Sequence, residues 1–443
     1  KIIAAEELWI AQKFNDDKLA SLHMDNLKAM KKTGSEFEML WYNPDSYNGG
    51  ETLVLDKHFA GTEVATFRSK WNDSNASFLG LKAGNNVVSH GHYDLGSFVF
   101  EALGQKWAVD LGADDYNLSG YSDYAGKRLW YYRLNPEGHN TLVINPDGTA
   151  QQNIEAFAKI EKIESKDRGG FAITDLTDAY KDDVNNARRG VRLSSNRTRA
   201  TIQDEVTFKA PSQVYWFMHT QAEITISKDG KSAILSKGGE QLWVGLDCDA
   251  VDASGNPVAA CFTEMTAAPL AVSPSPSGQN KNEGYRKLAV EMSGVSQMRL
   301  TVVLIPVSGS LDEINTTIVP VALDAWSIED GELEVPVLNG VTMDGQAFAN
   351  FDSSVYGYDI DFPLDRIVVP EIAVSYDESH YSVEIIKATD IPGSTKILVS
   401  SLENPEIKSI YKFNFKLNPI NGEEEKLVEV PIVTYKASAS QAD

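Results

Sequence analysis

The chain has 443 residues, and 63 acidic against 40 basic side chains give it a formal net charge of −23. This length suits two or three domains, each with its own core. The acidic balance disfavours binding to nucleic acid or to an anionic membrane surface through overall charge. No apolar run reaches the roughly 18 residues that a membrane span needs. Cys248 and Cys261 leave both one disulfide and two buried thiols open, and so do not fix the redox compartment.

The first 44 residues carry a helical pattern. Apolar residues between Leu8 and Met30 recur at helical spacings without proline or strand alternation, and a break is predicted at Asn15-Asp16-Asp17. We therefore predict a helical segment over residues 1–44, in which the isolated His23 has a structural role. Because the chain starts at Lys1 inside this pattern, without a signal-peptide core, we expect a processed product or a piece of a longer protein.

From about residue 45 the chain changes to short alternating runs separated by Gly, Asn, Asp and Pro. Many short strands with turn residues between them are typical of an all-β sandwich, and no βαβ repeat is present. We predict one large β domain over residues 45–328. Representative runs are Thr52–Leu55, Ser97–Leu103, Thr141–Ile144, Ala200–Phe208 and Met298–Ile305.

A second change follows the acidic segment 329–334. Met343-Asp344-Gly345-Gln346 predicts a hairpin turn, and Tyr411-Lys412-Phe413-Asn414-Phe415 predicts a closing strand. The spacing of these strands suits a small immunoglobulin-like sandwich, which we place at residues 329–420. The polar residues 421–443 are predicted to be a linker or tail.

Two of the seven histidines, His90 and His92, lie two positions apart in a segment with the pattern of a β-strand. Residues i and i+2 of a strand point to the same face. Together with Asp110 and His139 further along, they supply imidazole and carboxylate ligands without thiolate, which suits Zn²⁺ or, less specifically, Mn²⁺, Fe²⁺ or Ni²⁺. The alternative is that these are ordinary surface or hydrogen-bonded histidines.

Five blocks of sequence surround these residues in a fixed order, and with them the chain resembles the heparinase II/III-like polysaccharide lyases. The blocks are Phe67–Trp71, His90–Phe98, Trp107–Gly112, Asp115–Tyr121, and Tyr131–Arg133 followed by Glu137–Val143. The resemblance implies a mainly β fold. It has a large antiparallel β-supersandwich, preceded by a short helical remnant of an α/α toroid and followed by a small immunoglobulin/cadherin-like β-sandwich. Residues 1–44 are too short to form a complete toroid.

In this family the second histidine of the HxH motif, the aspartate of the next block and the histidine of the EGHN block bind zinc. The resemblance therefore implies that His92, Asp110 and His139 hold Zn²⁺, in a mainly structural role.

The resemblance also implies which residues face the substrate. His90 is a candidate base or carboxylate contact, or else a residue that orients the metal ligands. Tyr116 and Tyr121 are candidate acids, although tyrosines also pack β cores. Arg133 is a candidate partner for a substrate carboxylate or sulfate, or for a salt bridge within the sandwich. The cluster Arg188, Arg189 and Arg192 is a weaker anion-binding candidate, and a solvated strand face is the simpler interpretation.

The activity that follows from the resemblance is β-elimination on an anionic polysaccharide that contains uronic acid. This chain would carry the metal-binding sandwich half of the site and be inactive alone, with the N-terminal toroid of the same protein as its partner. Such an enzyme would be periplasmic or secreted in a bacterium, and would bind neither nucleic acid nor a membrane. The motifs do not distinguish heparan, chondroitin and alginate substrates. The alternative is a non-catalytic carbohydrate-binding or scaffold β-protein, and a metal-dependent hydrolase is a weaker third.

Overall fold

A computed structural model describes residues 4–46, 54–71, 73–123, 126–149, 151–195, 197–307, 311, 314–328, 336–349, 351–353, 355, 357–402 and 408–417. The chain forms two compact units, Lys1–Leu55 and Asp56–Asp443. The first is helical and the second is built of β-strands, so the prediction of a mainly β protein is confirmed.

The helical unit contains three helices, α1 (Glu6–Phe14), α2 (Asp17–Ala29) and α3 (Glu36–Trp41). The predicted break is confirmed, because Asn15 ends α1 in the left-handed conformation at φ 52° and Asp16 caps α2. His23 is fully buried, with Nδ1 2.8 Å from a Glu7 carboxylate oxygen and Nε2 3.5 Å from a Glu38 oxygen. One imidazole therefore joins all three helices, which agrees with a structural role for His23.

The strands of the larger β region form two antiparallel sheets in the described residues. They are β1 (Lys57–Phe59), β2 (Val64–Arg68), β3 (Phe78–Lys82), β4 (Gly84–Asn85), β5 (Phe98–Ala102), β6 (Gln105–Ala108), β7 (Leu142–Ile144), β8 (Phe157–Lys166), β9 (Gly169–Asp175), β10 (Val184–Ser194), β11 (Arg199–Thr220), β12 (Glu223–Ile226), β13 (Ser232–Lys237), β14 (Glu240–Val251), β15 (Phe262–Thr266) and β16 (Arg286–Val307).

The smaller of these sheets has the strand order β1-β2-β3-β5-β6. The larger sheet has the order β12-β13-β14-β16-β11-β10-β9-β8-β4, with β15 paired to β16 and β7 paired to β11. Its centre is the long pair β11 and β16, which runs in register from Ala200 opposite Leu304 to Thr220 opposite Arg286, with irregularities between Thr207 and Val214.

A single hydrophobic core contains residues of both sheets. Strand β2 shows the alternation that a sheet with one buried face requires, with Ala65 and Phe67 buried between partly exposed neighbours. Phe98 of β5 stacks on Trp216 of β11, with ring centroids 5.8 Å apart. The two sheets thus pack as a sandwich, and the turns at their ends carry the residues of the candidate site.

The strands from residue 338 onward form two smaller sheets with a separate core. They are β17 (Leu338–Met343), β18 (Gln346–Ala347), β19 (Gly357–Phe362), β20 (Ile372–Tyr376), β21 (Tyr381–Ile386), β22 (Gly393–Ser401) and β23 (Lys408–Leu417). The predicted hairpin turn is confirmed, because Asp344 and Gly345 both have positive φ between paired Met343 and Gln346. The boundaries 45–328 and 329–420 stay predictions, and segments 329–334 and 421–443 lie outside the described residues.

Two smaller expectations can be compared with the structure. Cys248 and Cys261 are both free, and Cys261 is exposed, so neither the disulfide nor a pair of buried thiols is correct. In the part of the chain that the structure describes, no helix combines the length and apolar character of a membrane span.

Candidate metal centre and active site

The His90-Gly91-His92 motif lies in a loop, and the strand prediction for this segment is wrong. The chain leaves β4 at Asn85, turns through residues 86–97, and enters β5 only at Phe98. His90 adopts the left-handed conformation at φ 62°, outside the extended region that regular β-strand residues occupy. The two imidazoles are therefore not on one face of a strand, and the turn directs them to different surroundings.

Long-range hydrogen bonds hold this loop in place. The amide of Asn86 donates to the carbonyl oxygen of Asn153 at 3.0 Å, and the backbone N–H of Gly91 closes a turn onto Val88. A Cβ on Gly91 would lie only 2.7 Å from a methyl of Val88 and 3.0 Å from the Asn86 oxygen, so a glycine is needed here. The loop is thus built to present His90 at an exposed tip.

The structure brings Asp110 and His139 into direct contact and places the His92 ring beside them. His139 follows a short 3₁₀ turn, Pro136–Gly138, and its Nδ1 lies 2.7 Å from Oδ2 of Asp110, which comes directly after β6. The His92 ring lies 5.3 Å from the His139 ring, centroid to centroid. These residues come from loops and a turn that lie between the strands.

A further carboxylate belongs to this cluster and was missed from sequence. Ligand atoms of Asp94, Asp110 and His139 all lie within 4.8 Å of one another. Asp94 is buried and forms an ion pair with Lys82 at the end of β3, with Nζ 2.5 Å from Oδ1. The only sequence signal was that Asp94 repeats the two-residue spacing of the HxH motif.

The residues present fit a divalent metal ion. The Nε2 atom of His139 is fully buried and has no hydrogen-bond partner among the described residues, which is costly unless a ligand completes it. Two carboxylates lie beside it, and half-buried His92 provides a second imidazole. Imidazole and carboxylate without thiolate are the donors that Zn²⁺ and related ions accept.

The pKa shifts describe the same electrostatic arrangement. Burial, together with the neighbouring His139, lowers the pKa of His92 to about 4, so its imidazole is neutral at pH 7. Burial acts to lower the pKa of His139, but the Asp110 carboxylate outweighs it and the pKa is raised. Burial likewise acts to raise the pKa of Asp110, yet His139 holds that pKa well below its usual range. The site therefore combines a neutral imidazole with an ionised carboxylate.

On the other side of the loop, His90 contacts Tyr116, one of the two candidate acids. The hydroxyl of Tyr116 lies 3.4 Å from Nδ1 of His90, and the rings of Tyr116 and Tyr121 are 4.7 Å apart. Tyr116 is 58% exposed, whereas Tyr121 is 3% exposed and burial raises its pKa. Of the two candidate acids, Tyr116 is the one that a substrate could reach, and Tyr121 packs beneath it.

Arg128 connects these two groups, and sequence reasoning missed it. Its guanidinium donates to the carbonyl oxygens of Gly91 and Tyr121, both at 2.9 Å, and lies 4.5 Å from the centre of the Tyr121 ring. Arg128 is buried, so these bonds are shielded from water. In the sequence Arg128 lies between the blocks Asp115–Tyr121 and Tyr131–Arg133, where no motif indicated a role for it.

The remaining arginine candidates are engaged with protein groups. Arg133 donates to Oδ1 of Asn282 at 2.7 Å and to the carbonyl oxygen of Ala113 at 2.9 Å, and so braces two loops. Arg189 is fully buried in an ion pair with Asp204, and it also donates to the carbonyl oxygen of Asn140. The interpretation of Arg189 as part of a solvated strand face is wrong, because this residue lies inside the sandwich.

Comparison with known proteins agrees with this fold. Residues 57–251 match the family described as "Heparinase II/III-like, C-terminal". This match confirms the resemblance to the heparinase II/III-like lyases that was drawn from the sequence blocks. No curated protein matches the chain.

Solved structures with a similar arrangement include "Crystal Structure of Heparinase III", at 15% identity and a TM-score of 0.48, covering 91% of this chain and 47% of that one. They also include a heparan sulfate lyase from Pedobacter heparinus, at 17% identity and a TM-score of 0.45, covering 69% of this chain and 41% of that one. The chain spans about half the length or less of these proteins. The roles of His90, Tyr116, Tyr121 and Arg133, and the ligand set His92, Asp110 and His139, stay predictions.

Proposed function

We propose that this chain is the metal-binding sandwich half of a polysaccharide lyase that acts by β-elimination on chains containing uronic acid. The match of residues 57–251 to the heparinase II/III-like C-terminal family supports the class of enzyme. The observation that carries the proposal is the loop His90-Gly91-His92, which places one imidazole against Tyr116 and the other against His139. Gly91 alone therefore separates His92, beside the metal-donor cluster, from His90, beside the tyrosine proposed for proton transfer.

The reaction needs two proton transfers that histidine and tyrosine can perform. A base removes the proton at C5 of the uronic acid, the electron pair forms the C4–C5 double bond, and the C4–O bond to the leaving sugar breaks. The exposed His90 is the proposed base or carboxylate contact. Tyr116, with its hydroxyl 3.4 Å from His90, is the proposed donor of the proton to the departing oxygen.

Cationic or hydrogen-bonding groups must also neutralise the substrate carboxylate, since the C5 proton is otherwise too weakly acidic. Arg133 is the arginine proposed for this role, because it is only partly buried although it already bonds Asn282 and Ala113. The other catalytic groups are proposed to come from an N-terminal toroid of the same protein. On this basis the substrate is an anionic polysaccharide, and the enzyme acts in the periplasm or outside the cell.

Zn²⁺ is the proposed metal, held by His92, Asp110 and His139. Its contribution when bound is to fix these three side chains against one another. Because His92 is separated from His90 by a single residue, an ordered His92 also orders the loop that presents His90. The metal would therefore stabilise the sandwich and hold the base in position without contacting substrate.

Binding of defined oligosaccharides to the whole chain tests this proposal. The probes are uronic-acid oligosaccharides of the heparan, chondroitin and alginate types and a neutral glucan oligosaccharide. We expect one uronic-acid type to bind, with a loss of about 10-fold or more in affinity for His90→Ala and for Tyr116→Ala, and no binding of the neutral probe. Ser379→Ala, in an exposed turn of the small sandwich, is the control and should bind as the original chain does.

Ultraviolet absorbance of the unsaturated product is measured in the same samples. We expect none from this chain alone, and product formation would show that the sandwich is not half of a site. Binding that survives both substitutions unchanged would instead favour the non-catalytic carbohydrate-binding or scaffold protein.

A further inference from the structure

The ammonium group of a lysine lies beside the candidate metal centre. Lys82 Nζ lies 2.5 Å from Oδ1 of Asp94, and Asp94 shares the cluster with Asp110 and His139. We propose that Lys82 is a built-in competitor for the metal ion, which pairs with Asp94 and so lowers the affinity of the site for a divalent cation. This inference rests on the metal centre of the proposed function and adds Asp94 and Lys82 to it.

The backbone fixes this ion pair as firmly as it fixes the ligands. Lys82 ends β3, where its N–H donates to the carbonyl oxygen of Ser97 at 2.9 Å and its carbonyl accepts from Gly96 at 2.8 Å. The N–H of Ser97 in turn donates to the carbonyl oxygen of Asp94 at 2.9 Å. The two side chains therefore start from neighbouring strand and turn positions.

The same turn connects the pair to the metal ligands. The hydroxyl of Ser97 accepts from the N–H of Asn140, the residue after His139. Asp94 has a side-chain exposure of 11% and Lys82 of 34%, so the carboxylate faces inward while the ammonium reaches it from the solvent side. Lys82 is therefore the partner with access to water, and Asp94 is the partner held inside the cluster.

The charges explain why a competitor would matter. Asp94 and Asp110 together place two carboxylates beside the buried, unpartnered Nε2 of His139. An ammonium held on one of these carboxylates offsets its charge and repels an incoming dication at short range. A site with a resident ammonium would bind metal more weakly than its donors alone would, and metal binding would require Asp94 to exchange one cation for another.

Zinc affinity of the whole chain, measured by competition with a chromophoric chelator, tests this inference. We expect Lys82→Met to tighten zinc binding by about 10-fold or more, and Asp94→Asn to weaken it by at least that factor. Lys82→Arg keeps the charge and should stay within about threefold of the original chain. Lys416→Met removes another close Lys–Asp pair, 2.6 Å long and well exposed in the small sandwich, and should leave zinc affinity unchanged.

His139→Ala separates the possible failures. If the original chain and His139→Ala bind zinc equally, the metal centre of the proposed function is wrong and this inference is wrong with it. If His139→Ala abolishes binding but Lys82→Met leaves the affinity unchanged or weakens it, the metal centre stands and the competitor role of Lys82 is overturned. Thermal unfolding of each metal-free variant verifies folding, and should Lys82→Met fail to fold, Lys82→Gln takes its place with the same expected gain.

Discussion

The guanidinium of Arg128 donates a hydrogen bond of 2.9 Å to the carbonyl oxygen of Gly91, the residue between the two histidines of the HxH motif. A second bond, also of 2.9 Å, goes to the carbonyl oxygen of Tyr121. One buried side chain thus sets the distance between the loop that presents His90 and the segment that carries the site tyrosines.

Replacement of Arg128 by methionine should destabilise the sandwich and loosen both segments. Methionine keeps much of the side-chain volume but leaves the carbonyl oxygens of Gly91 and Tyr121 without this donor, and we expect a loss of about 2–4 kcal/mol in the free energy of unfolding. Urea denaturation measures this loss. Relative to the original chain, amide hydrogen exchange in the variant should speed up in residues 88–93 and 117–123 more than in β11.

Arg286→Met is the matched control for Arg128. The side chain of Arg286 is 25% exposed and forms ion pairs with the solvent-facing carboxylates of Glu223 and Glu264, so its loss should cost less than about 1 kcal/mol. Equal costs for the two arginines would contradict a special role for Arg128.

Alanine at position 91 should strain the motif loop without changing its chemistry. The added Cβ would lie 2.7 Å from Cγ2 of Val88 and 3.0 Å from backbone oxygens, so the loop must shift, and we expect a cost of about 1–3 kcal/mol in unfolding free energy. Because His90 and His92 flank this position, zinc affinity and oligosaccharide affinity should both fall.

Gly61→Ala serves as the control, since a Cβ there meets nothing within 4 Å. Both variants are compared by urea denaturation and by zinc titration. An equally small effect at positions 61 and 91 would show that the loop has more freedom than its packing indicates.

Removal of zinc should cause a large drop in melting temperature and only a small loss of affinity for an oligosaccharide. A ligand that binds only the folded state stabilises it by RT ln(1 + [L]/Kd), so zinc at about 100 times its Kd adds roughly 2.7 kcal/mol. The chain is measured with zinc and with a chelator, by thermal unfolding and by oligosaccharide titration. The reverse pattern, with a small thermal shift and a large loss of affinity, would favour direct contact between metal and substrate.

His139→Ala distinguishes this effect from a general action of the chelator. Because the variant lacks the buried imidazole that Asp110 contacts, its melting temperature should not respond to zinc. A zinc response that persists in the variant would show that the ion binds elsewhere on the chain.

Local sequence signals predicted the fold well where the structure depends on local chemistry. The helix break at Asn15 and the hairpin at Asp344-Gly345 both require positive φ, which asparagine, aspartate and glycine tolerate. The alternation in β2 likewise follows from burial of one sheet face.

The errors concern residues whose positions depend on distant parts of the chain. The segment from Ser89 to Asp94 alternates like a strand, but the donors that hold it as a loop come from Arg128 and from the amide of Asn86, which bonds the Asn153 carbonyl. Arg189 is charged and lies in a basic cluster, so its burial depends on Asp204 across the strand pair. Asp94 joins the metal ligands through the fold of the turn, which no spacing rule describes.

Lys287 gives a prediction for pH dependence that is separate from the zinc experiments. It is fully buried on β16, with Nζ 4.0 Å from the centre of the Phe217 ring and 3.2 Å from the carbonyl oxygen of Ala268. Burial lowers its pKa from 10.5 to about 8, against the opposing effect of Glu137. Between these values the unfolded chain binds more protons than the folded chain, so this lysine makes stability rise as pH increases from about 8 to about 10.5.

Lys287→Met should remove that rise. Below pH 8 the buried, charged lysine lowers the free energy of unfolding by up to roughly 3 kcal/mol. The variant avoids this cost and should be more stable than the original chain at pH 7, less whatever its lost contacts contributed. The gain should shrink toward pH 10. Urea denaturation of both proteins between pH 7 and pH 10 gives the difference, in which other titrating groups cancel. Lys70→Met, whose side chain is 71% exposed, provides the control. Parallel stability curves for the original chain and Lys287→Met would mean that Lys287 titrates alike in the folded and unfolded states.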